Sequence, residues 1–162
     1  ADGAEVPAAA AASAASQAQA PALAAGQRPQ VQSQLEKAES QAETARQAAE
    51  GWRKAAENSA DGQQQQRAAN RAEVAEGAAG YWQARADLLQ MALDDPDNAD
   101  AKRAAEKHLA EEALDYWRTV ERLGETETER SLAAQNADAA EKALTYWNDE
   151  SRGWLSRLFG GR

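Results

Sequence analysis

One eight-residue pattern constrains the fold more than any other feature of this chain, and it occurs four times. It reads Ala, two spacers, Ala, then Ala or Leu, one spacer, Gly or Tyr, and Trp. The copies are Ala45–Trp52, Ala75–Trp82, Ala110–Trp117 and Ala140–Trp147. The tryptophans stand 30, 35 and 30 residues apart, so Trp52 maps onto Trp117 and Trp82 onto Trp147 with one offset of 65. A constant offset of that kind marks a duplicated two-helix unit.

Composition restricts the secondary structure further. The 162 residues include 43 alanines and no Ile, and Leu, Val and Phe together number only 17. Alanine is the best helix former, and the shortage of β-branched residues leaves little material for strands. The chain is therefore expected to be all-α. Alanine seams bring helices close but bury little area, so at about 25 cal/mol per Å² of apolar surface the rings must supply much of the stabilisation. Trp52, Trp82, Trp117 and Trp147 are the expected structural core.

Residues 1–30 form an Ala/Gln/Pro tract with Pro7, Pro21 and Pro29 and only Val6 and Leu23 as large apolar residues. Such a stretch buries too little surface to offset chain entropy and reads as a disordered N-terminal tether. Helical patterning follows over about 31–58, 63–94, 99–123 and 126–158, with a C-terminal end at 159–162. In the first segment Val31, Leu35, Ala38, Ala42, Ala45, Ala49, Trp52 and Ala56 keep an unbroken heptad seam, as does Ala68 to Leu93 in the second. The third has a wider apolar face, carried by Leu109, Ala113, Tyr116, Val120 and Leu123 beside Ala110, Leu114 and Trp117.

Asp61-Gly62 is expected to close the first helix through a left-handed Gly. Asp95-Pro96-Asp97-Asn98 separates the second from the third. Gly124 stops the third, and Thr126 with Glu129 has capping-box spacing. Short connections make successive helices antiparallel. The expected architecture is an elongated antiparallel four-helix bundle built from a duplicated helical hairpin. A stacked solenoid is the competing arrangement.

Charge and motif content argue against several functions. Net charge is −9, and an acidic surface does not suit nucleic acid, which needs a basic footprint. There are no cysteines, which excludes disulfides and thiolate metal sites. His108, the only histidine, lies among Glu106, Lys107, Glu111 and Glu112, but the Glu-x-x-His pairing of di-iron bundles is missing. Asp94, Asp95, Asp97 and Asp100 lack the calcium loop's central Gly and terminal Glu. No metal, cofactor or catalytic residue is expected, and the chain does not read as an enzyme.

Binding is the better expectation. From Arg152 onward the charge is +3 with no acid, and Arg152, Trp154, Leu155, Arg157, Leu158 and Phe159 put apolar and basic groups together, as membrane surfaces and partner grooves require. Tyr81, Tyr116 and Tyr146 form a second candidate, an exposed aromatic row, since Tyr and Trp are enriched at binding hot spots. The leading expectation is a helical interaction or scaffolding protein, an accessory subunit whose C-terminal stretch docks on a protein partner or a membrane surface. A homo-oligomer completing its core across a seam is compatible with the same pattern. The alternatives are a carrier of a small apolar ligand held among the Trp layers, where alanines with Gly77 and Gly80 beside large rings can leave voids, and a soluble helical domain of a larger membrane protein. The opening Ala1-Asp2-Gly3 suits either a trimmed chain or one cleaved at a small-residue site after a signal or transit peptide, and the second is the expectation, with export to the periplasm, the exterior or an organelle lumen.

Overall fold

The structure is a computed structural model that describes the backbone of residues 25–159 and the side chains of residues 26–148. Most of the tether, residues 1–24, lies outside the described residues. After a single 3-10 turn, Ala25–Gln27, come four α-helices: α1 Arg28–Asn58, α2 Gly62–Asp94, α3 Ala99–Leu123 and α4 Glu127–Phe159. They form an antiparallel four-helix bundle. Helix α1 begins ahead of the heptad seam because Pro29 sits in its first turn, where a missing N–H costs nothing.

Side-chain caps close the remaining helix starts. Gln63 N–H donates to the Asp61 side chain at 2.8 Å, and Ala101 N–H donates to Asn98 at 3.0 Å. The capping box at α4 is reciprocal: Glu129 N–H donates to Thr126 Oγ1 at 3.1 Å, and Thr126 N–H donates to Glu129 Oε2 at 3.3 Å. The turn after α1 differs from expectation. No described glycine has a positive φ; Ser59 takes the extended conformation and Gly62 opens α2 behind the Asp61 cap. Gly124 does end α3, and for steric reasons, since a Cβ there would lie 2.7 Å from the Val120 carbonyl oxygen.

The heptad seams are the buried surfaces. In α1, Val31, Leu35, Ala38, Ala42, Ala45 and Ala49 are buried, with Ala42 at 0 % exposure. Helix α2 buries Ala68, Ala72, Ala79, Trp82, Ala86 and Leu93 along its seam. It also buries Ala78, Tyr81 and Ala84 on a second flank, so it is covered on two sides. Among the described residues, extensive helix contacts run between α1 and α2, α2 and α3, and α3 and α4. Each helix thus packs on its neighbours in the chain, and α1 and α4 are the outer members of the row.

Polar pairs along the helix flanks set the register. Arg53 of α1 pairs with Glu76 of α2, and Arg122 of α3 with Glu73 of α2. Arg118 reaches both Asp138 at 3.5 Å and Glu141 at 3.1 Å across the α3–α4 boundary. All are solvent-exposed, so each adds little to stability. Their value lies in fixing which residues face each other.

Candidate interaction surface

The aromatic residues divide according to the position of their helix in the row. At the α2–α3 crossing, Tyr81 stacks on Tyr116 with ring centroids 6.1 Å apart. Trp82 meets the Tyr81 ring edge-on at 5.2 Å, and Trp117 lies 4.7 Å from Tyr116. All four are buried, Tyr81 to 2 % exposure. This corrects the reading of Tyr81 and Tyr116 as an exposed row: α2 and α3 have neighbours on both sides, so both rings of each Tyr-Trp pair are enclosed. Burial pushes the Tyr116 phenol up to about 12 and raises that of Tyr81, opposed by the Arg85 guanidinium. Neither the Tyr81 hydroxyl nor the Trp82 indole N–H has a hydrogen-bond partner among the described residues.

Close approach at this crossing depends on glycine. A Cβ on Gly77 would lie 3.3 Å from the Tyr116 Cα, whereas one on Gly80 would meet only the end of the Glu112 side chain, which can swing aside. The spaces expected beside these glycines as a ligand cleft are therefore filled by Tyr116 and Glu112. An open cleft of about 470 Å³ lies instead at the α1–α2 turn, lined by residues including Trp52, Asn58, Arg67 and Arg71. The Arg71 guanidinium sits 4.6 Å above the Trp52 ring and its Nε donates to Glu125 at 2.5 Å. That hydrogen bond holds the Glu125 carboxyl below the usual glutamate range. A cation already stacked and ion-paired is spent on joining α1, α2 and the α3–α4 turn.

The outer helices present their aromatics differently. Trp52 and Trp147 are half-buried, peripheral to the aromatic cluster. Tyr146 is 55 % exposed and Leu132 41 % exposed, the exposed large hydrophobic side chains among the described residues, and both are on α4. Leu132 was not singled out from sequence; its signal is that it stands 14 residues, two heptads, before Tyr146. The backbone of α4 stays helical through Phe159. The side chains of Arg152, Trp154, Leu155, Arg157, Leu158 and Phe159 lie outside the described residues.

The charged candidates are dispersed. His108 is exposed and 4.0 Å from both Glu111 and Glu112. No group of acids or histidines able to hold a metal occurs among the described residues, and no described helix is long and apolar enough to cross a membrane. Glu106 is the exception to the solvated pattern. It is 6 % exposed with Lys102 Nζ 4.0 Å away, and burial raises its pKa against the attraction of Lys102 and Arg103.

A raised carboxyl pKa means that the folded state takes up the proton first. Ionised Glu106 therefore opposes folding at neutral pH, and the penalty is relieved as pH falls through its raised pKa toward the ordinary 4.5. Glu106→Gln is expected to be more stable than the parent at pH 7. The difference should close as both are titrated below the ordinary glutamate range, followed by urea melts across pH. A pH-independent difference would show that titration of Glu106 is not its source.

Compared with known proteins, the chain matches no family model, no curated protein and no solved structure.

Proposed function

We propose that this is a non-enzymatic helical interaction protein, an accessory or scaffolding subunit that docks through the C-terminal end of α4 on a larger complex or membrane surface. The observation that carries this reading is the one-sided distribution of apolar exposure. The bundle's own rings and alanines fill its interior, whereas Leu132 and Tyr146 open to solvent on α4. That helix leads into the stretch where Trp154, Leu155, Leu158 and Phe159 alternate with Arg152 and Arg157. Apolar groups next to cations suit acidic, partly apolar partners. The spaces beside Gly77 and Gly80 are filled by Tyr116 and Glu112, which weighs against a ligand site at that crossing.

Co-sedimentation of the full chain with anionic phospholipid vesicles tests the membrane form of this docking. The Leu155→Ser, Phe159→Ser double variant is expected to lose at least tenfold in vesicle affinity while its helical circular dichroism stays unchanged. Docking on lipid is ruled out if the parent chain does not sediment with vesicles, which leaves a protein partner. A double variant that loses its helical signal would show that the stretch belongs to the fold, and the docking reading fails.

A further inference from the structure

We propose that the chain self-associates head to tail, the outer face of α4 in one copy packing on the outer face of α1 in a second. The interface uses Leu132 and Tyr146 on the exposed face of α4, lies ahead of the C-terminal docking stretch from Arg152 to Phe159, and goes beyond that reading. It follows from how the molecule already joins α2 to α3. There, Tyr81 and Ala78 of α2 are buried, Tyr81 stacks on Tyr116, and Gly77 admits the Tyr116 backbone.

Moving 65 residues along the sequence carries Ala78 to Ala143 and Tyr81 to Tyr146 on α4. The same step places Tyr146 at 55 % exposure where Tyr81 has 2 %. Helix α3 maps back onto α1 by the same offset: Leu109 to Thr44, Glu112 to Gln47, Tyr116 to Gly51 and Val120 to Ala55. The helix that would cover Tyr146 as α3 covers Tyr81 is thus an α1, and within one chain α1 stands at the opposite end of the row. A second copy supplies it.

The two faces match in character. On α4, Leu132, Asn136, Ala139, Ala143 and Tyr146 keep heptad spacing and carry no charge, and exposed Lys142, the counterpart of Gly77, stands beside them at the edge of the stripe. On α1, Ser40, Thr44, Gln47, Gly51, Ala55 and Asn58 are all exposed and uncharged, although the helix carries charges on its other outer positions. An added Cβ at Gly51 would meet nothing within 4 Å, so α1 has room there for the Tyr146 ring. Both copies carry a net charge of −9, and an uncharged contact lets them meet without burying unpaired ions. Their long-range repulsion is screened by salt, so association should strengthen as ionic strength rises. Because the two faces differ, the contact is heterologous and builds a ring or an open chain of copies.

Sedimentation velocity on the full chain over a concentration series, at low and high salt, tests this. The parent is expected to grow in mass with concentration, more so at high salt. Tyr146→Glu and Gly51→Glu, both at exposed positions, should each remain at the mass of one chain. Their equimolar mixture should reach the mass of two chains and stop there, since one variant keeps a sound α1 face and the other a sound α4 face. Ala139→Glu and Ala55→Glu form a second exposed pair that should repeat the result if either first variant loses its helical dichroism.

A parent that stays at the mass of one chain throughout overturns the proposal. A Gly51→Glu chain that associates like the parent also overturns it, since α4 would then be pairing with itself. The Leu155→Ser, Phe159→Ser variant should associate normally. Loss of association in that variant would assign the contact to the C-terminal stretch, refuting this interface while leaving the docking reading intact.

Discussion

Tyr116→Ala is expected to cost about 3–5 kcal/mol, the range for removing a large buried ring. The residue is 5 % exposed, packs into the space over Gly77, and contacts both Tyr81 and Trp117 through its ring. Its loss should be felt mainly at the α2–α3 joint, which is where the first two helices meet the last two. Denaturation followed by Trp fluorescence and by circular dichroism should show the transitions separating, because a weakened joint lets the two hairpins melt independently. A cost below about 1 kcal/mol, within the range of surface substitutions and small repacking, would mean that Tyr116 is not a keystone of the core.

The second large effect should come from adding atoms. Ala42 is completely buried in the α1–α2 seam, where alanines let the two helices approach closely. Ala42→Leu forces several heavy atoms into that seam, and overpacking of this sort costs about 1–3 kcal/mol or more. Helices held apart at one level lose contact at the neighbouring levels too, so the upper end of that range is expected. Ala69→Leu on the exposed side of α2 is the control and should fall within about 0.5 kcal/mol of the parent. Equal melting temperatures for the two variants would show that the alanine seam is not tightly packed.

Much of the architecture could be read from the sequence because the packing depends on spacing. The α1 seam from Val31 to Ala49 is buried residue for residue, and the Thr126–Glu129 capping box forms. Spacing within a helix says less about where that helix stands among the others. Tyr81-Trp82 and Tyr146-Trp147 are the same dipeptide at the same point of their patterns. Yet Tyr81 is enclosed and Tyr146 is exposed, since α2 has helices on two sides and α4 is at the end of the row. The one difference nearby is that Gly77 and Gly80, beside Tyr81 in α2, are replaced by Lys142 and Thr145 beside Tyr146 in α4, and Gly77 is where α2 admits the Tyr116 backbone.

Turn chemistry was legible only in part. Asp61-Gly62 has the composition of a left-handed stop, but Asp61 serves the following helix as its cap, so the glycine needs no special conformation. Glu106 was also hard to foresee. It lies three residues before buried Leu109, at a helical spacing that puts it on the packed side, and its charge disguised that position. The candidate docking residues from Arg152 to Phe159 rest on composition alone, and only Tyr146 and Leu132 join them from the described surface of α4.

The row-like arrangement of the helices has a kinetic consequence. Every extensive interface joins helices that follow one another in the chain, through turns as short as Ser59–Asp61 and Gly124–Thr126. Little chain entropy has to be surrendered before such contacts form, and chains dominated by local contacts fold in about microseconds to milliseconds. Each of the three interfaces, the aromatic α2–α3 joint included, can zip from its own turn. Pulled from its two ends, the same molecule would peel from the outside inward, with the α2–α3 joint the last to part.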